Sequence, residues 1–270
     1  MKHLAKEWGK IENALKDKYL YVFLDFDGTL TPIRRKPGEV RLSRSTRDAL
    51  RKLASRKNIA VAVISGRALR QARKMIGVKG IIYAGNHGLE AEGPGLKFTV
   101  PGVLRAKKTI SAISKKLKKE IRPIKGALVE DKGLTLSVHY RMVSRSRQGE
   151  LGKIFNKITT PYRSSGKVVV TSGKKVWEVR PPVKWNKGKA ALELLRREKR
   201  ETKKSVTSFY IGDDRTDEDA FRLLKRRSYT VKVGKKGRKN SLAKYYLRNT
   251  KEVRDFLKKL LTSKRKESHV

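Results

Sequence analysis

The 270-residue sequence contains no cysteine, which excludes disulfides, thiolate metal sites and cysteine nucleophiles. Any metal must therefore be held by oxygen or by the four histidines, His3, His87, His139 and His269, and these show no chelating spacing. Long apolar runs are missing as well. No window approaches the roughly eighteen consecutive apolar residues that would span a bilayer, so the composition reads as that of a soluble protein without a membrane segment. From Met1 to Asp17 there is neither an uninterrupted apolar stretch nor a small-residue cleavage site, so a secretory signal is not expected and the cytoplasm is the expected location. Acidic residues are scarce: 25 Asp and Glu stand against 69 Lys and Arg, a net charge of +44. A positive field concentrates anions, nucleic acid or small phosphate esters among them. The basic residues, however, are spread along nearly every expected helix, with no aromatic-rich RNA-binding signature beside them. That pattern points to nonspecific nucleic-acid adsorption at low salt. Thermophile ion networks, which enrich Glu together with Lys, account for the charge only in part.

What is present is a strand and helix rhythm. Leu4, Trp8, Ile11 and Leu15 recur at helical spacing and predict a helix from His3 to Lys16. Tyr21 to Leu24 is a strand that ends at Asp25, and Gly28 and Pro32 break the chain into a loop beyond it. Ser43 or Ser45 caps a helix running to Arg56, Ile59 to Ile64 is a second strand, Ala68 to Met75 a helix and Ile81 to Ala84 a third strand. Such alternation predicts a doubly wound parallel sheet. Between Gly93 and Pro182 the rhythm changes. Helices at Val103 to Ile121 and Ser146 to Ile158 flank four strands, Ala127 to Glu130, Leu134 to Tyr140, Lys167 to Thr171 and Val176 to Val179. This predicts an antiparallel sheet with helices on one face. The first rhythm then resumes with a helix from Lys187 to Arg197, a strand Val206 to Ile211, a helix Asp217 to Leu224, a strand Tyr229 to Val233 and a helix Thr250 to Leu261. A frayed tail is expected over Thr262 to Val270. The fold class is thus α/β, with a parallel-sheet core formed by residues 1–92 and 183–270 and an inserted α+β domain at 93–182.

Chemistry-bearing residues gather at the expected strand ends. Asp25 and Asp27, two apart, form a carboxylate pair where open α/β sheets place their ligands. Alone, Asp-Gly is an ordinary turn signal. Three further strand ends change the reading. The Ser65 hydroxyl and the backbone N–H groups of Gly66 and Arg67 precede a helix and suit a phosphate, although a plain serine cap would look the same. Asp213 and Asp214 come after another strand, with Asp217, Glu218 and Asp219 opening the next helix. The helix dipole explains Glu218 and Asp219 but not Asp213. Carboxylates crowded near a phosphate call for a hard cation, and Mg2+ fits, with Asp25 and Asp213 as principal ligands and Asp27 in the same metal group. Asp214 and Asp217 complete the acidic surroundings. Lys187, one of 69 basic residues, is a weak signal by itself and gains a role only through the resemblance given below, in which it would neutralise phosphoryl oxygens and keep Asp25 ionised. In this scheme Asp25 attacks phosphorus to form an aspartyl phosphate, while Asp27 protonates the leaving oxygen and then activates water.

Taken together, Asp25-Phe-Asp27-Gly28-Thr29-Leu30, Ser65-Gly66-Arg67, Lys187 and Gly212-Asp213-Asp214 resemble, in order and placement, the four motifs of the haloacid-dehalogenase-like superfamily. Asp25 to Ile33 (DFDGTLTPI), Ile64 to Arg67 (ISGR), Gly85 to Glu90 (GNHGLE) and Ile211 to Phe221 (IGDDRTDEDAF) resemble the trehalose-6-phosphate phosphatases more narrowly, over residues 20 to about 235. The resemblance implies that the inserted segment is a mobile cap that closes on the sugar. It also implies that Glu130 and Lys132 (VEDKG), Arg141 (HYR) and Glu178 (EVRP) hold sugar hydroxyls and help hold phosphate, and that Asn86 and His87 orient a loop facing the cap. Trehalose 6-phosphate is the implied substrate, and no obligate protein partner is evident. The departure from the family pattern is the basic load, including Lys174-Lys175 just before the strand carrying Glu178. Alternatives are a related phosphatase acting on sucrose phosphate or a glycosyl phosphoglycerate, and a non-catalytic basic nucleic-acid-binding protein. The intact set of Asp25, Asp27, Lys187 and Asp213 argues against the latter.

Overall fold

The computed structural model describes residues 1–34, 37–202, 204–234 and 241–263. The amino terminus is not one long helix. A short strand β1 (Lys2–His3) and a 3-10 turn (Leu4–Glu7) precede α1 (Trp8–Ala14). Leu4, Trp8, Ile11 and Leu15 are nevertheless all buried. The apolar spacing therefore identified the buried face, while β1 is drawn out of the helix by pairing with a distant carboxyl-terminal strand. Strands and helices then alternate as β2 (Tyr19–Leu24), α2 (Arg44–Ala54), β3 (Ile59–Ile64), α3 (Leu69–Ile76) and β4 (Ile82–Gly85). Ser43 caps α2, its Oγ accepting the Thr46 N–H at 3.2 Å. Next come β5 (Glu90–Gly93) and β6 (Leu96–Thr99), then α4 (Lys107–Glu120), β7 (Leu128–Asp131), β8 (Leu136–His139), α5 (Arg145–Ser164), β9 (Val169–Gly173) and β10 (Val176–Arg180). The chain ends with α6 (Lys187–Thr202), β11 (Val206–Gly212), α7 (Arg215–Leu224), β12 (Tyr229–Val233), β13 (Tyr245–Leu247) and α8 (Thr250–Ser263). Thr262 and Ser263, expected to fray, close α8, and the rest of that tail lies outside the described residues.

Two compact units result, one formed by Met1–Phe98 with the segment from Trp185 onward, the other by Thr99–Lys184. The change of architecture expected at Gly93 therefore falls later. Strands β5 and β6 extend the first sheet, because Ala91 is buried in the cluster around Ala190 and Leu194, with Leu96 and Phe98 packed on it.

The first unit holds a nine-stranded sheet in the order β1-β13-β12-β11-β2-β3-β4-β5-β6. From β1 to β4 neighbours run parallel, and β5 is antiparallel to β4. Alternation along the central strands supplies a separate core on each face. Leu20, Val22 and Leu24 of β2, with Phe209 and Ile211 of β11, join Leu50, Leu53, Leu257 and Leu260 of α2 and α8. Tyr21, Phe23 and Tyr210 point the other way, onto Ala190, Ala191 and Leu194 of α6 and Phe221 of α7. Burial on both faces is why these strands read as continuous apolar runs. Chain order reverses between β2 and β11, so the carboxyl ends of these strands flank the topological switch point where open sheets bind ligands.

The second unit is a four-stranded sheet in the order β7-β8-β10-β9, with the described pairs antiparallel. Leu136, Val138 and Val179 pack with Ile110, Ile113 and Leu117 of α4 and Leu151 and Phe155 of α5 in one apolar cluster. Among the described residues no helix is long and apolar enough to cross a membrane.

Candidate active site

The site is assembled at the switch point. Asp25 lies just beyond β2 and its backbone N–H donates to the Ile211 carbonyl at 2.9 Å, which ties the end of β2 to β11. Its carboxylate is 4% exposed and accepts from Lys187 Nζ at 2.7 Å. Lys187 is the first residue of α6, behind Asn186, whose side-chain oxygen accepts the Lys189 N–H at 2.9 Å. A cation at a helix amino terminus opposes the helix dipole, and this one is 2% exposed, so only carboxylates can stabilise its charge there. Asp217 is the second: its Oδ1 accepts from Lys187 Nζ at 3.0 Å and from the Tyr210 hydroxyl at 2.9 Å.

Asp214 and Asp217 form a reciprocal capping box at the start of α7. The Asp214 Oδ1 accepts the N–H groups of Thr216 and Asp217, and the Asp217 Oδ2 accepts the Asp214 N–H at 3.0 Å. The cap leaves Asp217 Oδ1 free for Lys187 and Tyr210. Glu218 does more than complement the dipole, since it accepts from Lys232 Nζ at 3.2 Å and from the Leu242 N–H at 2.9 Å. Lys232 Nζ also donates to the Asp214 carbonyl at 3.0 Å and so pins the loop that carries Asp213.

Carboxylate oxygens of Asp25, Asp213 and Asp217 lie within 4.8 Å of one another. Asp213 also accepts from the Thr29 hydroxyl at 3.4 Å. Two glycines make this approach possible: a β-carbon on Gly28, whose φ is +90°, would collide with the Asp213 carboxyl, and one on Gly212 would collide with that of Asp217. Four carboxylates, those of Asp25, Asp213, Asp214 and Asp217, face the single Lys187 ammonium. Burial pushes the Asp25 carboxyl well above its ordinary range against the pull of Lys187, and Asp213 and Asp214 add to the rise. Burial works against the Lys187 charge, but Asp214, Asp217 and Asp25 outweigh it and hold the ammonium well above the usual lysine value. Burial first, then the charges of Asp217 and Asp214, push Asp213 up to about 7. An all-oxygen donor set with excess negative charge fits a hard divalent cation.

Of the sequence-based ligand set, Asp25 and Asp213 stand in the converging carboxylate group with Asp217 as its third member, and the Asp27 carboxylate lies outside it. Asp27 is instead held by Arg67, with Nε donating to Oδ2 and Nη2 to Oδ1, both at 2.7 Å. The Asp25 and Asp27 pair is thus divided between two cations. The Arg67 backbone N–H, expected at the phosphate, donates to Ser65 Oγ at 3.2 Å. Nor is Ser65 the cap of α3, which begins at Leu69 with that residue's N–H on Glu90 Oε1 at 3.3 Å.

Asn86 and His87 are buried and both left-handed, at φ +50° and +60°. For residues other than glycine that conformation is strained by ~1–3 kcal/mol each. Their amides hold the Ser65 loop in place: the Asn86 N–H donates to the Arg67 carbonyl at 2.7 Å and the His87 N–H to the Ser65 carbonyl at 2.8 Å. The Asn86 side chain is fixed by Glu90 at 2.7 Å. Tyr210, Thr29, Glu90 and Lys232 escaped the sequence reading. Tyr210 carried one signal, a hydroxyl between the apolar Phe209 and Ile211, three residues before Asp213.

In the second unit, strand register sets Glu130, Ser137 and Glu178 opposite one another on β7, β8 and β10, hence on one face. Lys132 Nζ donates to Glu178 at 3.0 Å, and Glu130 pairs with His139 at 2.8 Å. Arg141 Nη2 donates to the Lys174 carbonyl at 3.3 Å.

Gly28→Ala is expected to displace Asp213 and weaken divalent-cation binding ~10–100-fold, read by isothermal titration calorimetry. Unchanged affinity would mean that Asp213 is not a ligand. Because a ligating carboxylate must be ionised, cation affinity of the parent protein should be ~10-fold lower at pH 6 than at pH 8, falling as pH drops through about 7. Affinity independent of pH over that range would contradict the assignment.

The family model described as trehalose-phosphatase matches residues 23–251. Trehalose-phosphate phosphatase B of Arabidopsis thaliana is 36% identical over 268 residues, covering 95% of this chain and 70% of the relative. The solved structure of the carboxyl-terminal domain of a C. albicans trehalose-6-phosphate phosphatase has a TM-score of 0.77 at 25% identity, covering 97% of this chain and 98% of that one. A trehalose-6-phosphate phosphatase related protein of known structure shares the fold, with a TM-score of 0.79 at 24% identity over 92% of this chain and 100% of that one. A match of this extent, over a span that contains Asp25, Ser65, Lys187 and Asp213, places the chain in the trehalose-phosphatase family.

Proposed function

We propose that the protein hydrolyses trehalose 6-phosphate to trehalose and inorganic phosphate, with Mg2+ as cofactor. The observation that carries this reading is the convergence of Asp25, Lys187, Asp213 and Asp217 at the switch point of a chain that matches the trehalose-phosphatase family over residues 23–251.

Asp25 is the nucleophile. Its Oδ1 is engaged by Lys187 at 2.7 Å, which leaves the other oxygen to attack phosphorus. The bond from the Asp25 carboxylate to phosphorus forms as the bond to the sugar oxygen breaks, and Asp27 delivers the proton which that oxygen needs. In the second half-reaction Asp27 takes a proton from water as the water oxygen attacks the aspartyl phosphate, which releases phosphate and restores the Asp25 carboxylate. Ser65 and Gly66 offer donors to the phosphoryl oxygens, and Lys187 balances the charge that moves onto them. Asp25, Asp213 and Asp217 would hold Mg2+, which when bound neutralises phosphoryl charge and orients the ester.

The second unit carries the sugar preference in this proposal. Glu130 and Glu178 lie on one face of its sheet, two strands and so about 10 Å apart, a span suited to a disaccharide's hydroxyls. A site built on such hydrogen bonds discriminates against esters that lack the hydroxyls.

Phosphate release should be measured with Mg2+ on trehalose 6-phosphate, sucrose phosphate and glucose 6-phosphate. Strong preference for the first, reduced at least about 10³-fold in Asp25→Asn, is expected. Broad release, or turnover that survives in Asp25→Asn, would overturn the substrate or the nucleophile respectively. Glu130→Gln and Glu178→Gln should each raise KM for trehalose 6-phosphate by ~10-fold or more while sparing a simple aryl phosphate. An equal loss on both esters would remove these residues from sugar recognition.

A further inference from the structure

We infer that Arg67 is the positioning residue for Asp27, holding the proton carrier in the one orientation from which it reaches the ester oxygen. This rests on the reading of Asp27 as acid and base given above. Three observations support it. The guanidinium grips both oxygens of Asp27 in a parallel fork, Nε to Oδ2 and Nη2 to Oδ1, each at 2.7 Å. Such a fork fixes direction as well as distance, which a point charge does not.

Arg67 itself is immobilised. Its side chain is 8% exposed, whereas that of Asp27 is 37% exposed. The guanidinium lies over the Phe26 ring at 5.5 Å. Its backbone is tied at both ends, the N–H to Ser65 Oγ at 3.2 Å and the carbonyl to the Asn86 N–H at 2.7 Å. The fork therefore transmits the rigidity of the Ser65 and Asn86 loops to a carboxylate that sits beside a glycine and is open to solvent on one side.

The third guanidinium nitrogen, Nη1, is buried with no hydrogen-bond partner among the described residues. Apart from the Phe26 ring, the fork to Asp27 is therefore the contact through which the described residues engage this guanidinium.

The fork leaves Asp27 competent. A carboxylate has about four lone-pair sites and Arg67 occupies two, so a site remains on each oxygen for a proton or water. The proton then moves from Asp27 to the ester oxygen as the phosphorus–oxygen bond breaks, and returns from water in the second half-reaction. General acid and base groups work only within about 2.6–3.2 Å of the atom they serve. A displacement of about 1 Å costs on the order of 10²-fold in rate.

The test is steady-state kinetics on trehalose 6-phosphate with Mg2+ for Arg67→Met, Arg67→Lys, Asp27→Asn and the double variant Arg67→Met/Asp27→Asn. Arg67→Met should lose ~10²-fold in kcat with KM changed less than about threefold. Arg67→Lys should recover little of this, because an ammonium cannot fork. In the Asp27→Asn background the Arg67→Met change should cost no more than about twofold, since the residue acts through Asp27. Additive losses in the double variant, or an Arg67→Met protein as fast as the parent, would overturn the inference. Should Arg67→Met fail to fold, Arg67→Lys makes the same comparison with charge retained, and full activity there would overturn it equally. Full activity of Asp27→Asn would overturn the proton-carrier reading and this inference with it. An inactive Asp27→Asn beside an active Arg67→Met would overturn this inference alone.

Discussion

The site depends on one buried ammonium. Lys187 Nζ sits between Asp25 at 2.7 Å and Asp217 at 3.0 Å, and it joins the end of β2, the start of α7 and the start of α6. Each partner would be costly to bury alone, and each is stabilised by the others. Tyr210 and the Asp214 N–H take two further acceptor sites of Asp217, so three donors fix its orientation and about one of its four lone-pair sites remains. The carboxylates of Asp25, Asp213 and Asp217 outnumber the ammonium they surround, and that excess negative charge is what the proposed cation would neutralise.

Around that ammonium the backbone is built for close approach. Glycines at 28 and 212 let two carboxyls enter space that any β-carbon would fill. The alanines of α6, Ala190 and Ala191, lie fully buried against the sheet. Capping does double duty: the box that terminates α7 is also what orients Asp217 toward Lys187. Asn86 and His87 carry strained backbone so that their amides can brace the Ser65 loop, and through Arg67 that bracing reaches Asp27. The charges of the site are thus held by second contacts on neighbouring strand ends and not by the loops on which they stand.

An acidic pocket lies within a chain of net charge +44. The two are compatible because the carboxylates are largely buried and act over a few ångströms, whereas exposed Lys and Arg act over a Debye length of about 8–10 Å. A positive exterior raises the local concentration of anions of any kind, whereas the buried carboxylates act only on what comes within contact of them.

Strand ends and motif spacing made much of this legible in advance. Residues such as Tyr21 to Leu24 and Ile59 to Ile64, apolar on both faces, can form only central strands, and the polar groups that end them therefore cluster at one edge of the sheet. Asp25, Ser65 and Asp213 were singled out on that basis and Lys187 through the family resemblance, and the match over residues 23–251 gave the family. Other features were invisible along the chain. Nothing local indicates that Asp27 turns to Arg67, forty residues on, that Tyr210 donates to Asp217, or that β5 and β6 belong with the first sheet. The pairing of a side chain depends on which neighbour comes within hydrogen-bonding distance after the strands register. Sequence by itself determined which residues carry charge and which strand delivers each of them. The tertiary structure alone decided how those charges are partnered, because a buried charge takes whatever partner packing brings within about 3 Å.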